Sequence, residues 1–155
     1  MREEMLVSTA LLPDLSAACD CVVFLLVRDG QMLLEKRAMH KTSGPGLHSI
    51  PGGHVESGES CEQALLREMQ EELGVQPLRW QHFCTLYYQT AELQRNHYYL
   101  VDDWQGDIQC FEAESLHWVG LDETERLDVQ EDRMALQACR QLMATVRGAG
   151  TAKET

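Results

Sequence analysis

Apolar positions along this chain fall into short runs divided by polar, glycine-bearing breaks, and two stretches repeat instead at helical spacing. From Cys19 to Val27 nearly every residue is β-branched or apolar. Asp29-Gly30 then gives a hairpin signal, and "QMLLEKR" from Gln31 to Arg37 reads as the return strand. Ala38 to His48 holds Gly44, Pro45 and Gly46 among polar residues, which predicts a loop ahead of a short strand ending at Ile50. "WQHFCTLYYQT" (Trp80 to Thr90), "NHYYLVDDW" (Asn96 to Trp104) and "LHWVGL" (Leu116 to Leu121) predict three further strands, the first two joined by a polar turn.

The first helical stretch has marked ends. Ser60 and Gln63 form a capping box, Cys61 to Leu73 are good helix formers, and Gly74 stands where a terminating glycine belongs. Leu66, Met69 and Leu73 supply its expected apolar stripe. A second capping box is expected at Asp128 and Glu131, followed by Ala135, Cys139, Leu142, Met143 and Val146 at helical spacing. The final "GAGTAKET" is expected to fray as a flexible tail.

A chain of 155 residues is the size of one domain and can bury roughly 70% of its unfolded surface. The formal charge of −12 repels nucleic-acid backbones and anionic membranes, so an anionic ligand needs a bridging cation. The opening residues, acidic and broken by Pro13, Asp14 and Asp20, suit neither a signal peptide nor a membrane span. Cys19, Cys21, Cys61, Cys84, Cys110 and Cys139 include no C-x-x-C pair, and read as small buried thiols in a reducing cytoplasm.

Candidate chemistry gathers in "GGHVESGESCEQALLREMQEELGV", Gly52 to Val75. At 100° per residue Glu68, Glu71 and Glu72 share one side of the helix, within about 100° of one another. Like charges at these spacings, at the negative end of the helix dipole, each destabilise a helix by about 0.2–0.5 kcal/mol. A hard dication reverses that penalty, since Mg²⁺ binds through a few carboxylates plus substrate phosphates. A solvated acidic face is the ordinary reading of an isolated E-x-x-E-E, and the residues around it decide the matter.

Gly53, Glu59, Arg67, Glu68, Met69, Glu71, Glu72, Gly74 and Val75 fill every fixed position of G-x5-E-x7-R-E-U-x-E-E-x-G-U, where U is bulky and aliphatic. The stretch thus resembles the signature of the Nudix hydrolases, and a chance match in a chain this long has a probability of roughly 10⁻⁷. The resemblance implies an α+β Nudix fold, a mixed β-sheet sandwiched between helices, as one domain over residues 1–147 with 148–155 as the tail. It implies hydrolysis of a nucleoside diphosphate linked to another moiety, with Mg²⁺ or Mn²⁺. By the same resemblance Arg67 pairs with Glu59 to brace loop against helix, the Gly52 carbonyl joins the metal shell with Glu68, Glu71 and Glu72, and a glutamate of a later loop completes it. Glu112 and Glu114 are the candidates there, Glu112 preferred. Glu68 is the expected ligand and proton acceptor, with the later-loop glutamate as the alternative base.

For the rest of a substrate, Lys36, Arg37, Lys41 and the Gly53 backbone are candidate phosphate contacts. His48, His54 and His97 have no metal-ligand spacing and read as solvated or core residues. Tyr87, Tyr88, Tyr98, Tyr99 and Trp118 lie in strands, where alternation turns about half inward. Gln130 and Asp132 stand where mutator-type relatives read the base. "EKRAMHKTSGPGLHSIPGG" resembles the segment before the box in coenzyme A diphosphatases, but Thr42 departs from its second basic position.

The expectation is a pyrophosphohydrolase converting a nucleoside triphosphate, oxidised purines included, to monophosphate and pyrophosphate. Rival substrates are ADP-ribose, a nucleotide sugar and coenzyme A. A rival of another class is a nucleotide-sensing domain that binds without cleaving; a diphosphate isomerase fits the intact box poorly. The partner is a small nucleotide, with no nucleic-acid polymer or membrane, and the protein is a monomer or homodimer.

Overall fold

The structure, a computed structural model, describes residues 14–154, with side chains described through residue 146. The opening segment read above as neither signal nor span lies largely outside the described residues.

Seven strands form one mixed sheet: β1 (Cys19–Arg28), β2 (Gln31–Lys36), β3 (His48–Ser49), β4 (Gly52–His54), β5 (Gln76–Gln89), β6 (Leu93–Gln105) and β7 (Ser115–Gly120). Helix α1 is Cys61–Leu73 and helix α2 is Gln130–Glu154. The strand order is β3-β2-β1-β6-β5, with β4 also paired to β1 and β7 to β2. β1 and β6 run parallel from Cys19↔Gln94 to Leu26↔Val101, and the other pairings are antiparallel.

β1 is apolar on both sides because both its faces are covered. Val22, Phe24 and Leu26 pack with Ala64, Leu65, Met69 and Leu73 of α1. Val23, Leu25 and Val27 pack with Ala135, Leu136 and Cys139 of α2. The result is the expected α+β arrangement of a sheet between helices. The hairpin turn has Asp29 at φ 54° and Gly30 at φ 74°, the two left-handed residues that let a two-residue turn follow the strand twist.

The first helix has the expected bounds. Ser60 Oγ accepts from the Gln63 N–H at 3.1 Å, the Ser60 N–H donates to Gln63 Oε1 at 2.8 Å, and Gly74 closes the end at φ 69°. Its buried stripe keeps the expected Met69 and Leu73, with Leu65 in place of Leu66. Leu65, Met69 and Leu73 are buried while Leu66 is exposed, because the i, i+4, i+8 row faces the sheet.

Two other expectations are corrected. The Asp128 carboxylate caps no capping box; it accepts from the His48 N–H at 2.8 Å, and α2 starts two residues later, at Gln130. Of the six free thiols Cys21 and Cys139 are buried, Cys19, Cys61 and Cys84 are partly covered, and Cys110 is exposed. Among the described residues no helix is long and apolar enough to cross a membrane.

Candidate active site

Two glycines let β4 lie close to its neighbours, Gly52 against β1 and Gly53 against the glutamate-bearing face of α1. A Cβ on Gly52 would sit 2.5 Å from the Val22 carbonyl oxygen, and one on Gly53 would overlap the Glu68 carboxyl group. Glycine is thus required at Gly52, where the obstacle is backbone, while at Gly53 a side chain would displace the Glu68 carboxyl. Gly53→Ala is expected to push Glu68 out of position and to lower turnover about 100-fold, as for loss of a positioned charged group, with the melting temperature nearly unchanged. Steady-state rates at saturating Mg²⁺ beside a thermal melt check this.

Arg67 ties the loop to the helix. Its Nε donates to Glu59 Oε2 at 2.7 Å and one terminal nitrogen to Glu59 Oε1 at 2.8 Å and to the His54 carbonyl at 2.9 Å. The two-pronged geometry holds the Glu59 carboxyl down at about 2, since a charge-assisted fork favours the ionised form. The other terminal nitrogen donates to Glu68 at 2.8 Å and to Glu71 at 3.1 Å. Arg67 therefore serves the expected Glu59 brace and also restrains two of the three helix glutamates.

Glu72 is 8% exposed, and its Oε2 has no hydrogen-bond partner. Burial, reinforced by Glu35, Glu68 and Glu112, pushes its carboxyl up to about 10. Burial likewise raises Glu68, against the pull of Arg67. Glu71 is half exposed, its side chain at 50%. The sequence reading did not single out Glu35. It is 5% exposed, 3.6 Å from Arg37 and raised by burial to about 7. A charged residue at the same parity as buried Leu33, directly after the apolar run Met32, Leu33 and Leu34, was the available signal.

These groups line a cavity of about 660 Å³ that also takes in Arg37, Lys41, Gly52, Gly53 and Glu112. Of the two loop glutamates, Glu112 lines this cavity whereas Glu114 pairs with Lys36 at 3.6 Å, outside it. Backbone bonds from Gln109 N to Leu73 O (2.9 Å) and Phe111 N to Glu72 O (3.2 Å) seat that loop on the end of α1. His54 and Tyr88 line the cavity as well. His48 turns to Asp128 and His97 to Asp20.

Gln130 is not among the residues that line this cavity: it lies in a second, shallow groove with Arg133, Met134 and Gln137, while Asp132 lines the main cavity. Residues two apart on a helix point about 200° apart, in keeping with the two facing different hollows. The sequence also gave no sign of the floor beneath. The Tyr98 hydroxyl donates to Asp132 Oδ1 at 2.7 Å, and the Ile50 N–H to Oδ2 at 3.0 Å.

A sheet between two helices, with a glycine loop and a glutamate-bearing helix locked by one arginine, defines a Nudix hydrolase. The chain belongs to that family, its residues 18–139 matching the NUDIX domain. It is 30% identical over 129 residues to CTP pyrophosphohydrolase of Escherichia coli (strain K12), covering 78% of this chain and 95% of that one. To 8-oxo-dGTP diphosphatase of the same strain it is 37% identical over 76 residues, 46% of this chain and 57% of the other. Among solved structures it resembles a MutT NUDIX hydrolase from Burkholderia pseudomallei, with TM-score 0.71 and 29% identity over 78% of this chain and 97% of that one.

Nudix hydrolases act on nucleotide diphosphate substrates and generally depend on a divalent cation. The donor set fits one. Among the described residues no three such side chains already close on a point, and Arg67 donates to both Glu68 and Glu71. The unpartnered Glu72 oxygen nevertheless stands buried among like charges, an arrangement that a hard cation relieves, its remaining ligands coming from phosphate oxygens and water.

Proposed function

We propose that this Nudix hydrolase cleaves a nucleoside triphosphate to the monophosphate and pyrophosphate, using Mg²⁺ or Mn²⁺ held by Glu68, Glu71, Glu72, Glu112 and the Gly52 carbonyl. The observation that carries the reading is the orphaned, buried Glu72 oxygen on the wall of a cavity also lined by Glu68, Glu71 and Glu112. When bound, the cation lowers the pKa of the attacking water and neutralises charge on the phosphate oxygens.

The chain's own groups supply the rest. Arg37 and Lys41, on the cavity wall, attract the phosphates electrostatically. The Gly53 backbone contacts them, the place of its missing side chain being taken by the Glu68 carboxyl. Glu68 takes the proton from water as the new P–O bond forms and the anhydride P–O bond breaks, pyrophosphate leaving with the electron pair; Glu112 is the alternative acceptor. Glu59 and Arg67 keep the loop against the helix and touch no reacting atom. Six free thiols suit a reducing compartment such as the cytoplasm.

Two relatives, named for CTP and 8-oxo-dGTP, support a triphosphate over ADP-ribose, a nucleotide sugar or coenzyme A. A panel of these compounds, with products identified by mass spectrometry, tests the choice. Monophosphate and pyrophosphate from one or more nucleoside triphosphates is the expected result. Turnover confined to ADP-ribose, sugar or coenzyme A substrates would overturn the substrate, and tight binding without cleavage of any would favour the sensing domain.

A further inference from the structure

Besides Glu72, the cavity has two further orphaned polar atoms among the described residues, Ser49 Oγ and, on the wall that faces α2, Asn96 Oδ1. Asn96 of β6 is 6% exposed and lines the same cavity as the carboxylates, and its Oδ1 has no partner among the described residues. Its neighbours in register are Cys21 of β1 and Leu86 of β5, neither able to donate a strong hydrogen bond. Tyr98, two residues on along the same face, is satisfied by Asp132, which also holds the Ile50 N–H. Asp132 is thereby committed to bracing the strand before the glycine loop, and Asn96 is left with an unmade bond.

A buried amide oxygen without a donor costs free energy that an apolar residue of similar size would not. Its position suggests what supplies the donor. Cys21 pairs with His54 on one side and with Asn96 on the other, so Asn96 stands two strand spacings, roughly 10 Å, from the glycine loop. With phosphates over Glu68 and Glu72, a nucleotide reaching along the cavity brings its base to this wall. Every nucleobase carries amino or ring N–H donors on its edges.

Resting on the triphosphate reading above, we propose that Asn96 is a specificity-determining residue whose carboxamide oxygen accepts a hydrogen bond from an N–H of the substrate's nucleobase. It takes no part in the chemical step, which lies at the glutamates. A substrate without a base then gains nothing from it.

The test compares the best nucleoside triphosphate with base-free ribose 5′-triphosphate on wild type and on Asn96→Leu, with a thermal melt of each protein. The ratio of the two rates on one sample cancels any loss of folded enzyme. Asn96→Leu is expected to lower kcat/KM for the nucleotide about 10- to 100-fold, mainly through KM, to leave ribose triphosphate hydrolysis unchanged, and not to lower the melting temperature. Equal loss on both substrates, or no loss on either, would overturn the role while leaving the hydrolase reading intact. Wild type that cleaves neither compound sinks the triphosphate reading and Asn96's role with it.

Discussion

Glu72→Gln is expected to lose about 10²- to 10⁴-fold in turnover and yet to melt above wild type, by on the order of 5 °C, once a chelator has removed divalent ions. The two effects share one cause. Glu72 is buried among Glu35, Glu68 and Glu112, which together with desolvation hold its carboxyl far above the ordinary range. In the metal-free fold its ionised form is therefore unfavourable, and the neutral amide of the same shape removes the cost. With a dication and substrate phosphates present, the same negative charge is what the site needs.

The sign of the pH dependence follows. A carboxyl whose folded pKa lies above its unfolded value of 4.5 contributes stability that is fully present below 4.5 and lost as pH rises through about 10. In chelator the variant and wild type should melt alike near pH 4.5 and diverge steadily toward pH 9. Melts at three pH values check this; a gap that closes with rising pH would contradict the burial of an uncompensated charge.

Arg67→Ala is the second large effect, and it should damage fold and activity together. Arg67 donates to Glu59, Glu68, Glu71 and the His54 carbonyl, with Glu56 3.6 Å away. Its removal leaves four neighbouring carboxylates without their shared cation, and the loop loses its tie to α1. We expect a fall in melting temperature on the order of 5 °C and a loss of about 100-fold or more in turnover. Arg67→Lys should fall between, since it keeps the charge but not the fork. Thermal melts and initial rates of both variants measure it; an Arg67→Ala protein as stable and active as wild type would remove the arginine from the account.

What could be read in advance divides by the range of the interaction. Helix α1 was legible to the residue because its ends are written locally, in Ser60, Gln63 and Gly74. Strands β5 and β6 extend beyond their expected ends because pairing such as Gln76↔Gln105 and Gln89↔Leu93 needs a partner strand, not an apolar pattern. Asp128 has the local form of a helix cap, but a backbone N–H 80 positions earlier in the chain takes its carboxylate.

The same division holds in the site. Glu59, Arg67, Glu68, Glu71 and Glu72 announced themselves by spacing along one loop and helix. Glu35 and Asn96 did not, because a polar residue in a strand acquires meaning only from what the other strands and helices bring against it. Asp132 reaches Ile50 across 82 positions. Gln130 and Asp132 are close along the chain, but helical phase turns them to different hollows.

The central claim is that the glutamates of α1 form a seat for dications that the nucleotide completes. Titration of wild-type protein with Mn²⁺, followed by the electron-spin signal of the free ion, tests it without any turnover. Saturable uptake that tightens when a non-hydrolysable nucleoside triphosphate analogue is added, and that weakens at least tenfold in Glu72→Gln, is the predicted result. Uptake unchanged by the analogue and by Glu72→Gln would contradict it.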